Sequence, residues 1–298
     1  MISSNAVGIA AALGSAASWS VGALLFSRLG ESLSSFAMTL VKGALSVVLL
    51  GAMTLLVSGY SDIGAQAYLY LALSGLLGIA VSDTFFFSAL KELGPRALVL
   101  LATLGPVVTV LLAVVFLGER LPLWGWIGIA LIIAGISTGV FPDRKQEGRS
   151  SLRGIVLGLV SVLSMSVSVI LTKKGLDGVS TVYATLIRML AGTLGMLLIG
   201  ILTLRLKAWV TPFHDRGLMA RFLVAVCVIT VGGFWLAVVA FKYTSVAVAT
   251  SLISTEPVFI LPLSVVFLKE KLTTRAVAGA VIAVAGVVAL CTIGAAAG

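Results

Sequence analysis

PVVTVLLAVVFLGERL, running from Pro106 to Leu121, returns as PVFILPLSVVFLKEKL from Pro257 to Leu272. At an offset of 151 the two segments align without a gap and nine of sixteen positions are identical. The match extends downstream through Gly128/Gly279, Ala134/Ala285 and Gly135/Gly286, and upstream through Lys91/Lys242. A second doubling lies nearer the front of each copy. Residues 8–25, GIAAALGSAASWSVGALL, match 154–171, GIVLGLVSVLSMSVSVIL, at an offset of 146, with Ser15/Ser161, Ser18/Ser164 and Ser20/Ser166 among eight identities in eighteen. Lys42 then falls opposite Arg188. The chain therefore reads as two copies of one unit, the second longer by five residues before its eighth apolar run.

That unit is a membrane unit. Sixty per cent of the 298 residues are hydrophobic, 10% are charged and the mean hydropathy is +1.19, against about a quarter charged residues in an ordinary soluble domain. Ten apolar runs can be counted, at about 5–27, 33–58, 66–90, 95–117, 122–141, 152–173, 179–203, 219–241, 246–267 and 273–293. Each is long enough to cross ~30 Å of hydrocarbon as a helix. None shows the alternating polarity of a barrel strand. The expected fold is an all-α integral membrane protein of ten transmembrane helices, arranged as two inverted five-helix repeats. The first repeat is 1–141 and the second 152–298, joined by the polar linker 142–151. Five spans per copy is an odd number, so the second copy enters the bilayer from the opposite face. Inverted repeats are a transporter architecture, with the site between the halves near the midplane.

Composition excludes several alternatives. The net charge of +9 comes from Lys and Arg scattered in short connections, a topology pattern rather than a nucleic-acid surface. Cys227 and Cys291 sit inside apolar runs and form neither a disulfide framework nor a metal spacing. Met1 to Asn5 lacks a basic leader, so the first run is read as a retained helix. No phosphate-binding loop, no metalloprotease motif and a single histidine argue against an ATP-driven pump or an enzyme, and no cofactor or metal is expected. A non-transporting membrane subunit of a larger complex is the alternative.

Four ionisable residues lie well inside the spans: Lys42, Asp83, Arg188 and Glu256. Each costs at least ~2.5–3.5 kcal/mol at a helix centre, so each needs a reason. Helix rise puts Lys42 and Asp83 roughly 13 and 10 Å from one face, and Arg188 and Glu256 about 13–15 Å from the other. The expected pairs are Lys42–Asp83 and Arg188–Glu256. They either hold helices in register or line a polar pathway, with the cations meeting a substrate carboxylate and the anions an amine or a proton. Glu256 follows Ser254 and Thr255 and precedes Pro257, whose missing N–H frees backbone carbonyls. Thr103 and Pro106 stand at the equivalent place in the first copy. Pro106 and Pro257 are candidate hinges. A mid-membrane carboxylate at Glu256 is the candidate carrier of a coupling proton. Trp19, Phe86 and Trp235 are the aromatics expected to line the cavity. Glu119-Arg120 and Glu270-Lys271 read as helix caps and topology charges.

With these motifs laid out, the chain resembles the EamA family of the drug/metabolite transporter superfamily. The resemblance rests on Ala16, Trp19 and Ser20 at the start, and on the tail of each copy: AL-K followed by G-P and L-G-E-R-L in one, AFKYTS followed by S-T-E-P-V-F and L-K-E-K-L in the other. Met165 departs from it, standing where a second tryptophan would match Trp19. The resemblance implies an exporter or exchanger of small metabolites such as amino acids; the protein is expected in a bacterial inner membrane, working as a monomer with a dimer left open. It also implies both termini in the cytoplasm. The charge count points the other way: fourteen Lys and Arg follow the odd-numbered runs, against four in the remaining connections and at the termini. Orientation stays open at this point.

Overall fold

The computed structural model describes residues 4–30, 33–58, 63–86, 88–89, 92, 101, 104–140, 152–256, 258–259, 263 and 274–296. Within them the chain is helical and contains no strand. The elements are α1 (Ser4–Gly30), α2 (Ser35–Met53), α3 (Ala65–Gly75), α4 (Leu104–Leu117), α5 (Leu123–Val140), α6 (Leu152–Lys174), α7 (Thr181–Leu202), α8 (Arg216–Cys227), α9 (Val246–Ile253) and α10 (Thr274–Ala296). Three helices pass into wider π-helical turns: α2 at Thr54–Ser58, α3 at Leu76–Val81 and α8 at Val228–Trp235. Beyond those turns α3 runs on to Phe86 and α8 to Tyr243.

Five helices are long and apolar enough to cross a bilayer: Phe36–Leu56, Ala65–Phe86, Leu152–Lys174, Thr181–Leu202 and Arg216–Tyr243. Shorter apolar helices cover Leu104–Leu117, Leu123–Gly135 and Val277–Ala289. The side-chain distribution is that of a protein in lipid. Leu190, Leu194 and Leu198, spaced one turn apart, are exposed on α7, as are Val277, Val281, Val284 and Val288 on α10. Inside, by contrast, sit Ser20, Ser46, Ser74, Ser82, Ser161 and Ser168, all buried. Apolar faces cost nothing toward hydrocarbon, whereas hydroxyls need partners there. Trp124 and Trp126 are exposed at the start of α5, as suits a headgroup boundary.

The principal helix contacts survive an exchange of the two halves. Helix α1 packs on α8 as α6 packs on α3, α1 on α9 as α6 on α4, and α3 on α7 as α8 on α2. The pairs α2·α7, α4·α9 and α5·α10 map onto themselves. Directions follow from which residues meet. Gly8 faces Thr244, Gly14 faces Leu236 and Gly22 faces Ile229, so α1 and α8 are antiparallel. Gly175 faces Leu71 and Gly78 faces Ser168, so α3 and α6 are antiparallel as well. Gly75 meets Arg188 and Gly192 meets Ile79, which makes α3 and α7 parallel. Lys42's helix α2 follows α8: Phe36 stacks on Trp209 just before α8, and Ser46 bonds to Thr230 within it. Lys242 Nζ donates to Val179 O, so the end of α8 meets the start of α7. Each of the first three helices therefore runs opposite to its counterpart 146 or 151 residues later.

Close approach through glycine makes this packing feasible. At the α5·α10 crossing, a Cβ on Gly135 would lie 2.4 Å from Ala283 N, and one on its repeat-mate Gly286 would lie 2.6 Å from Gly128 O. Both obstacles are backbone atoms, which cannot swing aside. The polar 205–221 connection folds into a short helix, Leu206–Val210, and a 3₁₀ turn, Thr211–His214. Its Trp209 and Phe213 side chains are buried, Phe213 against Phe222. Asp215 ends this segment and caps α8, accepting from the Gly217 and Leu218 N–H groups at 2.7 and 3.1 Å.

Two outcomes test this packing. Gly135→Val or Gly286→Val should destabilise the protein by about 1–3 kcal/mol through overpacking, read as a lower Tm in detergent, while a valine at half-buried Gly51, whose added Cβ would have nothing within 4 Å, should not. The backbone bonds hold the Asp215 carboxyl below its ordinary range. Its stabilisation is therefore present above the unfolded carboxylate pKa and is lost as pH falls through the folded one. The Tm deficit of Asp215→Ala should accordingly shrink on acidification.

Candidate functional site

Lys42 on α2 and Asp83 on α3 form the expected ion pair, Nζ to Oδ2 at 3.5 Å, with side chains 12% and 22% exposed. Asp83 lies just past the π-helical stretch of α3, and the equivalent stretch of α8 carries Phe234. The Lys42 ammonium sits over the Phe234 ring, 5.0 Å from its centroid. The Phe234 ring in turn meets Trp19 of α1 edge to face, with centroids 4.9 Å apart. Gly233 makes room for that indole, since a Cβ there would stand 3.1 Å from the ring. Four helices thus contribute one cation, one anion and two aromatic rings to one place. π-Helical turns insert a residue and redirect the side chains that follow, and they recur at functional sites.

Phe234 is the residue that sequence reasoning missed. Its signal was in the repeat: Phe234 occupies the position of Asp83 plus the offset of 151. The twofold relation between α3 and α8 brings these two counterparts to the same lysine. Trp235, expected in the cavity, donates its indole N–H to Thr181 Oγ1 at the start of α7 at 3.0 Å. Phe86 lies half-buried on α3, three residues after Asp83.

The second expected pair, Arg188–Glu256, does not form. Arg188 is 7% exposed and its guanidinium is held by hydroxyls, Nε donating to Ser74 Oγ at 3.0 Å and a terminal nitrogen to Ser168 Oγ at 3.5 Å. Those hydroxyls donate onward to the carbonyls of Leu71 and Ser74. The reason for the mismatch is topological. Asp83 stands on α3, whose counterpart is α8, whereas Glu256 follows α9, whose counterpart is α4. Matching depth alone did not make the pairs equivalent.

Glu256 lies where α9 breaks. The helix ends at Ile253, Ser254 and Thr255 form a turn, and their hydroxyls donate to the carbonyls of Thr250 and Leu252, each at 2.7 Å. Ser20 Oγ of α1 donates to the Glu256 carbonyl at 2.8 Å. Its carboxylate makes no ion pair with a described residue. Thr250 Oγ1, within α9, is buried without a hydrogen-bond partner among the described residues. The repeat shows in these bonds too: Ser166, counterpart of Ser20, donates to the carbonyl of Gly105, counterpart of Glu256, at 3.4 Å. Ser15 donates to Gly233 O and Ser161 to Ser82 O, again as counterparts. Pro106 is buried as the third residue of α4. Thr103 and Pro257 lie outside the described residues.

At the end of the bundle where α1 begins, Glu119 ties the halves together. Its two carboxylate oxygens accept from the Val246 and Ala247 N–H groups at 2.6 and 2.9 Å, capping buried α9. This is the cap role expected of Glu119, exercised on a helix of the other repeat. Lys173 donates to the carbonyls of Phe241 and Thr244 at the end of α8, so each helix end meets the charge its dipole favours. Glu119→Ala should strand two buried N–H donors and cost about 1–3 kcal/mol; Glu119→Gln, keeping one acceptor, should lose less. Detergent-solubilised Tm values for the two variants check this order.

Known proteins bear on the reading. A model of the family described as "EamA-like transporter family" matches residues 6–139 and again 152–292. A protein from Sinorhizobium sp, described as "Uncharacterized transporter in cobO 3'region", is 45% identical over 76 residues, 25% of this chain and 52% of that one. The chain thus spans about half the length of this curated relative. A solved structure described as "Crystal structure of protein" superposes with a TM-score of 0.78 at 21% identity, over 98% of this chain and 100% of the other, a likeness of fold. With one family model matching twice and covering nearly its whole length, the chain belongs to the EamA-like transporter family.

Proposed function

We propose that this integral multi-pass membrane protein is a secondary transporter of small polar metabolites, amino acids or related zwitterions above all. Transport would proceed by alternating access as the two halves rock against each other. Members of its family are transporters rather than enzymes. In this reading the chain has ten spans, five in 1–141 and five in 152–298, inverted about the 142–151 linker, and works as a monomer in a bacterial inner membrane. Substrate binds from Trp19, Lys42, Asp83, Phe86, Thr103, Arg188, Trp235, Ser254, Thr255 and Glu256, and the chain bends at Pro106 and Pro257. Glu256, an intramembrane carboxylate beside a helix break, carries the coupling proton.

The observation that carries this reading is the partly open cluster of Lys42, Asp83, Phe234 and Trp19, to which α1, α2, α3 and α8 each contribute one side chain. A purely structural ion pair has no need of two aromatic faces. Intramembrane charge, moreover, ordinarily marks a pathway.

The test is counterflow of labelled amino acids into proteoliposomes preloaded with unlabelled ones. Saturable exchange is the expected result; inertness across the panel would instead favour a non-transporting subunit, and linear flux a channel. With a transported amino acid in hand, Glu256→Gln should abolish its proton-driven accumulation at least tenfold while leaving exchange measurable. Unchanged proton-driven accumulation would remove Glu256 from the coupling role.

A further inference from the structure

The Lys42–Asp83 pair is under-used. A lysine ammonium has three donors and a carboxylate about four acceptor sites, yet one contact joins them, and among the described residues no other hydrogen bond engages either head group. That contact, at 3.5 Å, is long beside the ~2.7–2.9 Å of a strong charge-assisted bond. Arg188, at the equivalent position of the other repeat, shows the contrast. It has a fitted socket, with Ser74 and Ser168 standing where the first repeat's scheme has Ala225 and Gly22. Among the described residues, Lys42 has no such socket. It rests on an aromatic face and one carboxylate oxygen, and both it and Asp83 keep some exposure.

We propose that the Lys42–Asp83 pair is the resting form of a zwitterion site, opened by the substrate. On binding, the substrate ammonium takes Asp83 and the face of Phe234, the places Lys42 now fills. The substrate carboxylate takes the released Lys42. An apolar side group lies against Trp19. This rests on the transport reading and adds to it the order in which charges are exchanged.

Charge balance selects the substrate class. The pair is neutral before binding and the four-charge cluster is neutral after it. An amine lacking a carboxylate would leave one positive charge in excess in a low-dielectric setting, and a carboxylate lacking an amine one negative charge. Uncompensated buried charge is the costly case, so wild-type protein should prefer zwitterions to either analogue. The preference should then be switchable. Lys42→Met leaves Asp83 alone and suits an amine. Asp83→Asn leaves Lys42 alone and suits a carboxylate.

Three sets of probes test this on the full-length purified protein, by thermal shift at fixed ionic strength: glycine, leucine and phenylalanine; their decarboxylated amines; and their deaminated carboxylates. Wild-type protein should be stabilised by about 3 °C or more by at least one zwitterion at high occupancy and by neither of its analogues. Lys42→Met should lose that response and gain one to the amine; Asp83→Asn should lose it and gain one to the carboxylate. The neutral double variant K42M/D83N, which strands no charge, guards against unfolding of the single variants and should respond to none of the three. Variants that keep the wild-type order of probes, or a double variant that still responds to the zwitterion, overturn the proposal while leaving transport standing. A wild-type protein that responds to no probe overturns the zwitterion site, and counterflow then decides the transport reading separately.

Discussion

A helix in hydrocarbon gains little from burying apolar side chains against its neighbour, because lipid is just as apolar. Backbone approach and hydroxyl bonds must supply the cohesion, and this molecule places both almost wholly between its halves. Gly8, Gly14 and Gly22 let α8 lie against α1, Gly75 and Gly78 seat α7 and α6 on α3, and Gly135 and Gly286 close the α5·α10 crossing. The serines act in matched pairs at the same contacts. Ser15 and Ser161 reach carbonyls on α8 and α3, and Ser20 and Ser166 reach the carbonyls of Glu256 and Gly105. Each half is therefore held by the other more than by itself.

Near-symmetry of this kind makes the departures informative. Part of the scaffold is repeated residue for residue: Ser15 and Ser161, Ser20 and Ser166, and Gly135 and Gly286 are identical counterparts. Where chemistry is concentrated, the counterparts differ. Asp83 faces its own counterpart Phe234 across Lys42, and Glu256 stands where the other repeat has Gly105. One lysine thus meets an anion on one side and an aromatic face on the other, a combination that neither repeat contains alone. The other cation, Arg188, is fixed among hydroxyls and knits α7 to α3 and α6.

The broken α9 belongs with these departures. It is capped at one end by Glu119 of the first repeat and interrupted at the other by the Ser254-Thr255 turn. Its start is thus fixed from across the seam, and its end is set by the hydroxyl-bonded turn that precedes Glu256.

Helicity, membrane embedding, the duplication and the Lys42–Asp83 pair could all be read from the chain itself. Apolar run length, the offsets of 146 and 151 and helix rise depend only on order along the sequence. The partners of Arg188, Glu256 and Trp235 could not. Depth in the bilayer is a one-dimensional quantity that sequence position fixes, whereas pairing also depends on rotation about each helix axis and on which helix lies beside which. The π-helical turns of α3 and α8 alter that rotation just before the functional residues. Only the packed structure could therefore show that Phe234 meets Lys42, that Trp235 donates to Thr181 and that Arg188 is satisfied by serines.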